Sequence, residues 1–229
     1  MIHPDSQSSS TLDAAQRQGI TAPPRHDSST PLRVYTLVFD GVDDLDFVAP
    51  NEVFLHAKHQ HAAVERSLVT SGNMESGEPS TIETVAGIPI TATRGWSPAD
   101  ADVILVPGGP GVTDEIKRGH IPSLLAAARR PGLVLASVCA GARLLAAAGI
   151  TRGRPCITHH RWVKEVQEQG GEIIQARVVD DGDLVTSGGI TSGLDLALWL
   201  VERYFGPQSA LGVERIMEYE RRGTVWRRP

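Results

Sequence analysis

Only two cysteines occur in this 229-residue chain, Cys139 and Cys156. Two thiols cannot build a disulfide framework, and without a CxxC pair they fit structural zinc poorly, so a reducing cytoplasm is the expected compartment. Excess positive charge is also missing. The formal charge is −5, which leaves no basic footprint for nucleic acid or an anionic membrane. Apolar runs stop short of the roughly 18–20 residues that span a bilayer. The opening stretch, MIHPDSQSSSTLDAAQRQG, has neither a basic n-region nor an apolar h-region, so no secretory signal is expected. No internal repeat is visible. The arginines near the end (Arg221, Arg222, Arg227, Arg228) stand among glutamates and read as a solvated terminus.

Two textures remain. Residues 1–31 are rich in Ser, Gln, Thr and Pro and almost devoid of aliphatic side chains, too little apolar surface to offset the entropy of ordering. They are expected to form a disordered or draped tail, followed by a single α/β domain over 32–229. From Arg33 onward short apolar runs alternate with helical periodicity. VYTLVF (34–39), ERSLVTS (65–71), DVILVPGG (102–109) and LVLASV (133–138) read as strands, the fully apolar ones as strands buried on both faces. Helices are predicted from about Leu45 to Lys58, with Pro50 near its first turns, and over Ile121–Arg130, 140–148, Arg161–Gln169, Ile190–Phe205 and Pro207–Tyr219. Short strands with turns fill 72–97, RPCITH (154–159) reads as another strand, and Ile173–Val179 with Asp183–Ser187 as a hairpin. Strands alternating with helices imply a doubly wound, mainly parallel sheet sandwiched by helices.

Chemistry concentrates in LVLASVCAGARLLAAAG. A strand runs straight into Cys139, and a helix starts immediately after it, directing free backbone amides and its positive dipole end at the turn. That setting favours thiolate, the nucleophilic form, and Gly141 allows the chain to turn tightly: a cysteine nucleophile elbow. Cys156 lacks such a turn and reads as core. The glycines ending a neighbouring strand, Gly108 and Gly109, are candidate oxyanion donors beside the Ala140 amide. The cluster SGGITSG (187–193) is a second candidate pocket wall, and His159 and His160, in the strand-end segment that follows, are candidate pocket residues. Asp43, Asp44 and Asp46 follow the first strand closely enough to supply an acid/base, and spacing does not choose among them.

Four blocks in this order, FDGVDDLDFVAPNEVF, DVILVPGG, ASVCAGARLLAAAGITRGRPCITHH and VTSGGITSGLDLALWLVERYFG, resemble the ThiJ/PfpI superfamily. Its fold is flavodoxin-like, of the class I glutamine amidotransferase-like type. Within it the blocks are most similar to the isonitrile hydratase branch and to the sensor domains of related regulators. The resemblance implies Cys139 as nucleophile and Asp46 as the carboxylate facing it. It sets Gly108 and Gly109 at the glycine turn, and Gly188 and Ile190 beside the cysteine-bearing helix. It further implies a small-molecule isonitrile substrate, a homodimer, and no cofactor or metal. Two positions depart from the branch: Ala140 stands where the hydratases usually carry Thr, and His159-His160 where they carry His-Trp. The absence of His at position 140 argues against peptidase or glyoxalase chemistry. About ten residues follow the last predicted helix, too few for the DNA-binding domain that the regulators add. A stand-alone ligand or redox sensor, or another small-molecule hydrolase on the same elbow, are the rival expectations.

Overall fold

A computed structural model describes residues 30–72, 80–92 and 94–228. The expected tail lies almost entirely outside the described residues. β1 (Leu32–Val38) is buried along nearly its whole length and pairs on both edges, parallel to β2 (Val64–Thr70) and to β5 (Val103–Val106). β5 in turn runs parallel to β6 (Val134–Ser137), and β6 to β10 (Leu184–Ser187). LVLASV, read as a buried run, is buried, and every residue of β5, β6 and β10 is enclosed.

Beyond β10 the sheet turns antiparallel, with β9 (Val178–Asp180) and then β11 (Val225–Arg227) at the edge, giving the order β11-β9-β10-β6-β5-β1-β2. β3 (Ser80–Glu83) and β4 (Pro89–Ala92) form a separate hairpin, and β7 (Pro155–Cys156) pairs with β8 (Glu172–Ile173). Helices α1 (Asp44–His59), α6 (Ser192–Phe205) and α7 (Pro207–Met217) pack together on one side. On the other lie α2 (Val112–Arg118), α3 (His120–Ala128) and α4 (Gly141–Ala147), with α5 (Val163–Glu168) against α4. Strand order reverses between β1 and β5, so their C-terminal ends open the crevice in which doubly wound sheets hold ligands.

Several expectations need correction. The hairpin partner of β10 begins at Val178; Ile173 belongs to the small β7–β8 pair instead. RPCITH contributes only Pro155 and Cys156 to a strand, since its later residues bend toward the elbow. Pro50 does lie near the first turns of α1, as expected, and there its ring meets α6: a Cβ added to Gly193 would stand 3.2 Å from Pro50 Cγ. The C-terminal arginines are mostly exposed, as expected, but several of them are engaged rather than free. Arg221 pairs with Glu202 and Glu214, Arg228 with Asp181, and Arg227 lies over the Trp199 ring in β11.

Candidate active site

Three loops leaving β1, β5 and β6 converge. After β1, Asp43 caps α1 by accepting the Leu45 amide at 3.2 Å, and Asp44 accepts the Ala86 amide from the β3–β4 turn at 3.0 Å. Asp46, in the first turn of α1, is fully buried and points back toward the sheet edge. Of the three aspartates, Asp46 bears most strongly on the sulfur, its charge raising the Cys139 thiol more than that of Asp43 does.

Gly108, after β5, is clasped to α1 in both directions. Its amide donates to Asp46 Oδ2 at 2.9 Å, and its carbonyl accepts from the Asp43 amide at 3.0 Å. A Cβ there would stand 2.5 Å from the Ala140 nitrogen and 2.9 Å from Asp46 Oδ2, so only glycine lets these backbones meet. The Gly108 amide therefore holds the carboxylate rather than standing free as an oxyanion donor. Gly109 is wedged against the loop after β1 and helps to lock the two loops together.

After β6, Cys139 occupies a left-handed backbone conformation with φ 57°. A non-glycine residue there is strained and persists only where its surroundings over-determine it. They do so here: its amide donates to Gly188 O at 2.8 Å, and its carbonyl accepts from Thr158 Oγ1 at 2.8 Å and from the His159 amide at 3.3 Å. Gly141 is needed for closeness, not for its own dihedral, because a Cβ there would lie 2.0 Å from Val106 O. The backbone amides of Ile190 and Ala140 both face the sulfur. Cys156, by contrast, is buried with Ala146 and Val166 and touches none of this.

The electrostatics correct one expectation. Burial, and then the charge of Asp46, push the Cys139 thiol up to about 12, and the Ile190 and Ala140 amides only partly oppose this. Burial and the facing carboxylate thus outweigh the end of a short helix in setting the thiol above its ordinary range. Asp46 is pushed up to about 7, by burial first and then by the charge of Asp43, against the pull of the Gly108 amide and the Cys139 thiol. Asp46 Oδ1 has no hydrogen-bond partner among the described residues. A carboxyl that titrates near neutrality beside a thiol can take a proton from sulfur and return it to a bound molecule.

His159 is half-buried, with its ring against Gly189, where an added Cβ would lie 2.5 Å from His159 Cδ2. Burial, then the charges of His160 and Arg161, hold its imidazole below the ordinary histidine range. It walls the crevice next to the 188–190 turn, while His160 is exposed. Among the described residues, no group of three or more His, Cys, Asp or Glu side chains is placed to hold a metal ion. Thr158, which anchors the cysteine carbonyl, escapes sequence reasoning: it carries no spacing signal beyond its place beside His159.

Residues 32–203 match the DJ-1/PfpI family. The chain is 35% identical over 193 residues to the isonitrile hydratase of Pseudomonas putida, spanning 82% of this chain and 78% of that protein. It is 33% identical over 138 residues to the HTH-type transcriptional regulator GbdR of Pseudomonas aeruginosa, which is 59% of this chain but 37% of the regulator. Among solved structures, a ThiJ/PfpI family protein from Pseudomonas syringae superposes with a TM-score of 0.73 at 24% identity, covering 96% of this chain and 84% of that one. That last likeness speaks for the fold alone. Together with the parallel sheet and the cysteine elbow, the match over most of the chain makes this protein a member of the DJ-1/PfpI family.

Proposed function

We propose that the protein is an isonitrile hydratase, adding water to the terminal carbon of a small isonitrile to give an N-substituted formamide. The observation that carries this reading is the buried Asp46 carboxyl beside the Cys139 thiol, held through one oxygen by the Gly108 amide while the other has no hydrogen-bond partner among the described residues. An isonitrile carbon accepts both a nucleophile and a proton. Cys139 sulfur attacks that carbon while its proton passes through Asp46 to the same atom, leaving a neutral thioimidate, R–N=CH–S–Cys139. Water then adds to the thioimidate carbon, with one of its protons taken by Asp46 and the nitrogen protonated in turn. Cleavage of the C–S bond releases R–NH–CHO and returns the thiol. Water is the only co-reactant. The likeness to the Pseudomonas putida enzyme supports this choice of substrate class.

Purified protein mixed with a small alkyl or aryl isonitrile tests it. The isonitrile stretch should disappear from the infrared spectrum as formamide appears in the NMR spectrum. A folded protein that leaves the isonitrile intact would sink the reading. The likeness to a regulator favours a second one, a ligand sensor on the same site, and a thermal shift with isonitrile but without turnover would select it. A homodimer in a reducing cytoplasm belongs to the same proposal, with the exposed Leu45 and Val48 of α1 as part of the subunit contact. Light scattering of Val48→Glu tests the contact: a dimer that survives unchanged places it elsewhere.

A further inference from the structure

Ile190 is a β-branched residue at φ 37°, a backbone region such side chains avoid. Its amide faces the Cys139 sulfur, and its side chain is exposed, so side-chain packing does not hold it there. The turn is instead fastened at both shoulders by one residue. Gly188 donates its amide to Arg177 O at 3.1 Å, and Arg177 Nη2 donates to Thr191 Oγ1 at 3.0 Å. The same guanidinium donates through Nε to Asp195 Oδ2 at the start of α6. Asp195 is 2% exposed and also accepts from Tyr219 Oη at 3.0 Å and from the Arg222 amide at 2.8 Å.

We propose that Arg177 is a positioning residue: braced by Asp195 and by the segment after α7, it clamps the 188–191 turn so that the Ile190 amide meets the cysteine sulfur. The clamp rests on the reading of Cys139 as nucleophile but not on isonitrile as substrate. Because the Ile190 amide favours the charged sulfur, releasing the clamp weakens thiolate stabilisation while Asp46 and Asp43 still bear on the sulfur as before. A purely structural role predicts the opposite sign, since a loosened turn uncovers the sulfur and speeds its alkylation.

The test is the rate of Cys139 alkylation by iodoacetamide in the full chain carrying Cys156→Ser, read by mass spectrometry. Arg177→Met keeps the apolar stem and removes the donors; it should slow labelling by about tenfold, the worth of one weakened hydrogen bond to a charged group. Arg177→Lys should recover part of the rate. A folded Arg177→Met that labels as fast as the parent, or faster, overturns the proposal. Should that variant fail to fold, Thr191→Val at its exposed site decides: slower labelling supports the clamp, and an unchanged or faster rate overturns it. If Cys139 of the parent does not alkylate at all, the nucleophile reading falls instead, a result distinct from any of these.

Discussion

Two regions of this molecule bury carboxylates and treat them in opposite ways. Around the antiparallel edge of the sheet, each is matched by cations and donors. Asp181, fully enclosed, accepts from Arg154 Nε at 2.7 Å and from Arg228 Nε. Asp180 accepts from Trp199 Nε1 at 2.8 Å, from Arg203 and from the Gly182 amide. At the crevice, Asp46 is just as enclosed but meets one backbone amide and one thiol, and one oxygen goes without a partner among the described residues. An unmet buried polar group costs about 1–3 kcal/mol, so an edge built for stability avoids it and a reactive site can use it. The first set of carboxylates fastens β9, β11 and α6 together. The last is left able to hold or release a proton.

The sharpest break of this contrast is at the sulfur. Cys139→Ser should abolish both formamide production and covalent labelling, while Cys156→Ser, in the small core behind α4, should leave both largely intact. Equal losses, measured by product NMR and intact mass, would mean that the thiols serve folding alone. Next come the two carboxylates themselves. Asp181→Asn should cost about 3 kcal/mol of stability, because it strips charge from a buried pair while Arg154 keeps Asp183 as a partner. Asp46→Asn should lower turnover by about 10²-fold or more, yet leave the chain folded. Asp43→Asn and Asp44→Asn, which alter a helix cap and a turn contact, should be mild in turnover. Denaturant melts beside isonitrile assays read all four. A chain that loses more stability from Asp46→Asn than from Asp181→Asn would erase the distinction.

Titration sharpens it further. The folded chain raises the Asp46 carboxyl to about 7, so it binds that proton more tightly than the unfolded chain, whose carboxyl titrates near 4. The resulting stabilisation is fully present below about pH 4 and is lost as pH rises through 7, with a limiting slope of about 1.4 kcal/mol per pH unit. Stability of the parent, measured against Asp46→Asn, should therefore decline between about pH 4 and pH 7. A flat difference across that window would show that Asp46 is solvated in the folded chain.

How much of this is legible in the sequence follows the range of the interactions. Strands β1, β5 and β6 announce themselves because both faces are buried and their sequences are mostly apolar. Cys139 is legible from its place between such a strand and a glycine-containing helix start. Among Asp43, Asp44 and Asp46, local spacing is silent, since all three follow β1 and only the direction of each side chain separates them; the family likeness chooses. The short α2 leaves no clear pattern, its VTDEIKR being polar and following a Pro-Gly turn. β11 stays hidden for a related reason: three residues of an arginine-rich stretch become a strand only because β9 offers an edge and Asp181 a charge partner. The upward shift of the thiol departs from the sequence expectation because it comes from burial and from a carboxylate on another loop, neither of which the helix after Cys139 reveals.

The smallest expected effect concerns the residue where this chain departs from the hydratase pattern. Ala140 begins the turn into α4, is 3% exposed, and shares its amide with the sulfur. A threonine there would add a hydroxyl donor beside the charge that develops on sulfur as the thioimidate breaks. One added hydrogen bond is worth about 1 kcal/mol net, or roughly fivefold in rate. Against this stands crowding, because the site lies under Gly108, where backbone atoms already approach too closely for a Cβ. Overfilling a tight site costs about 1–3 kcal/mol, but that cost falls on folding, and the rate gain falls on the reaction. The two can be read apart. Ala140→Thr should lower Tm by a few degrees while raising kcat for a small isonitrile by a few-fold. A lower kcat at unchanged Tm would mean that the space beside Ala140 is occupied by substrate, and that this crevice takes a molecule bulkier than a small isonitrile.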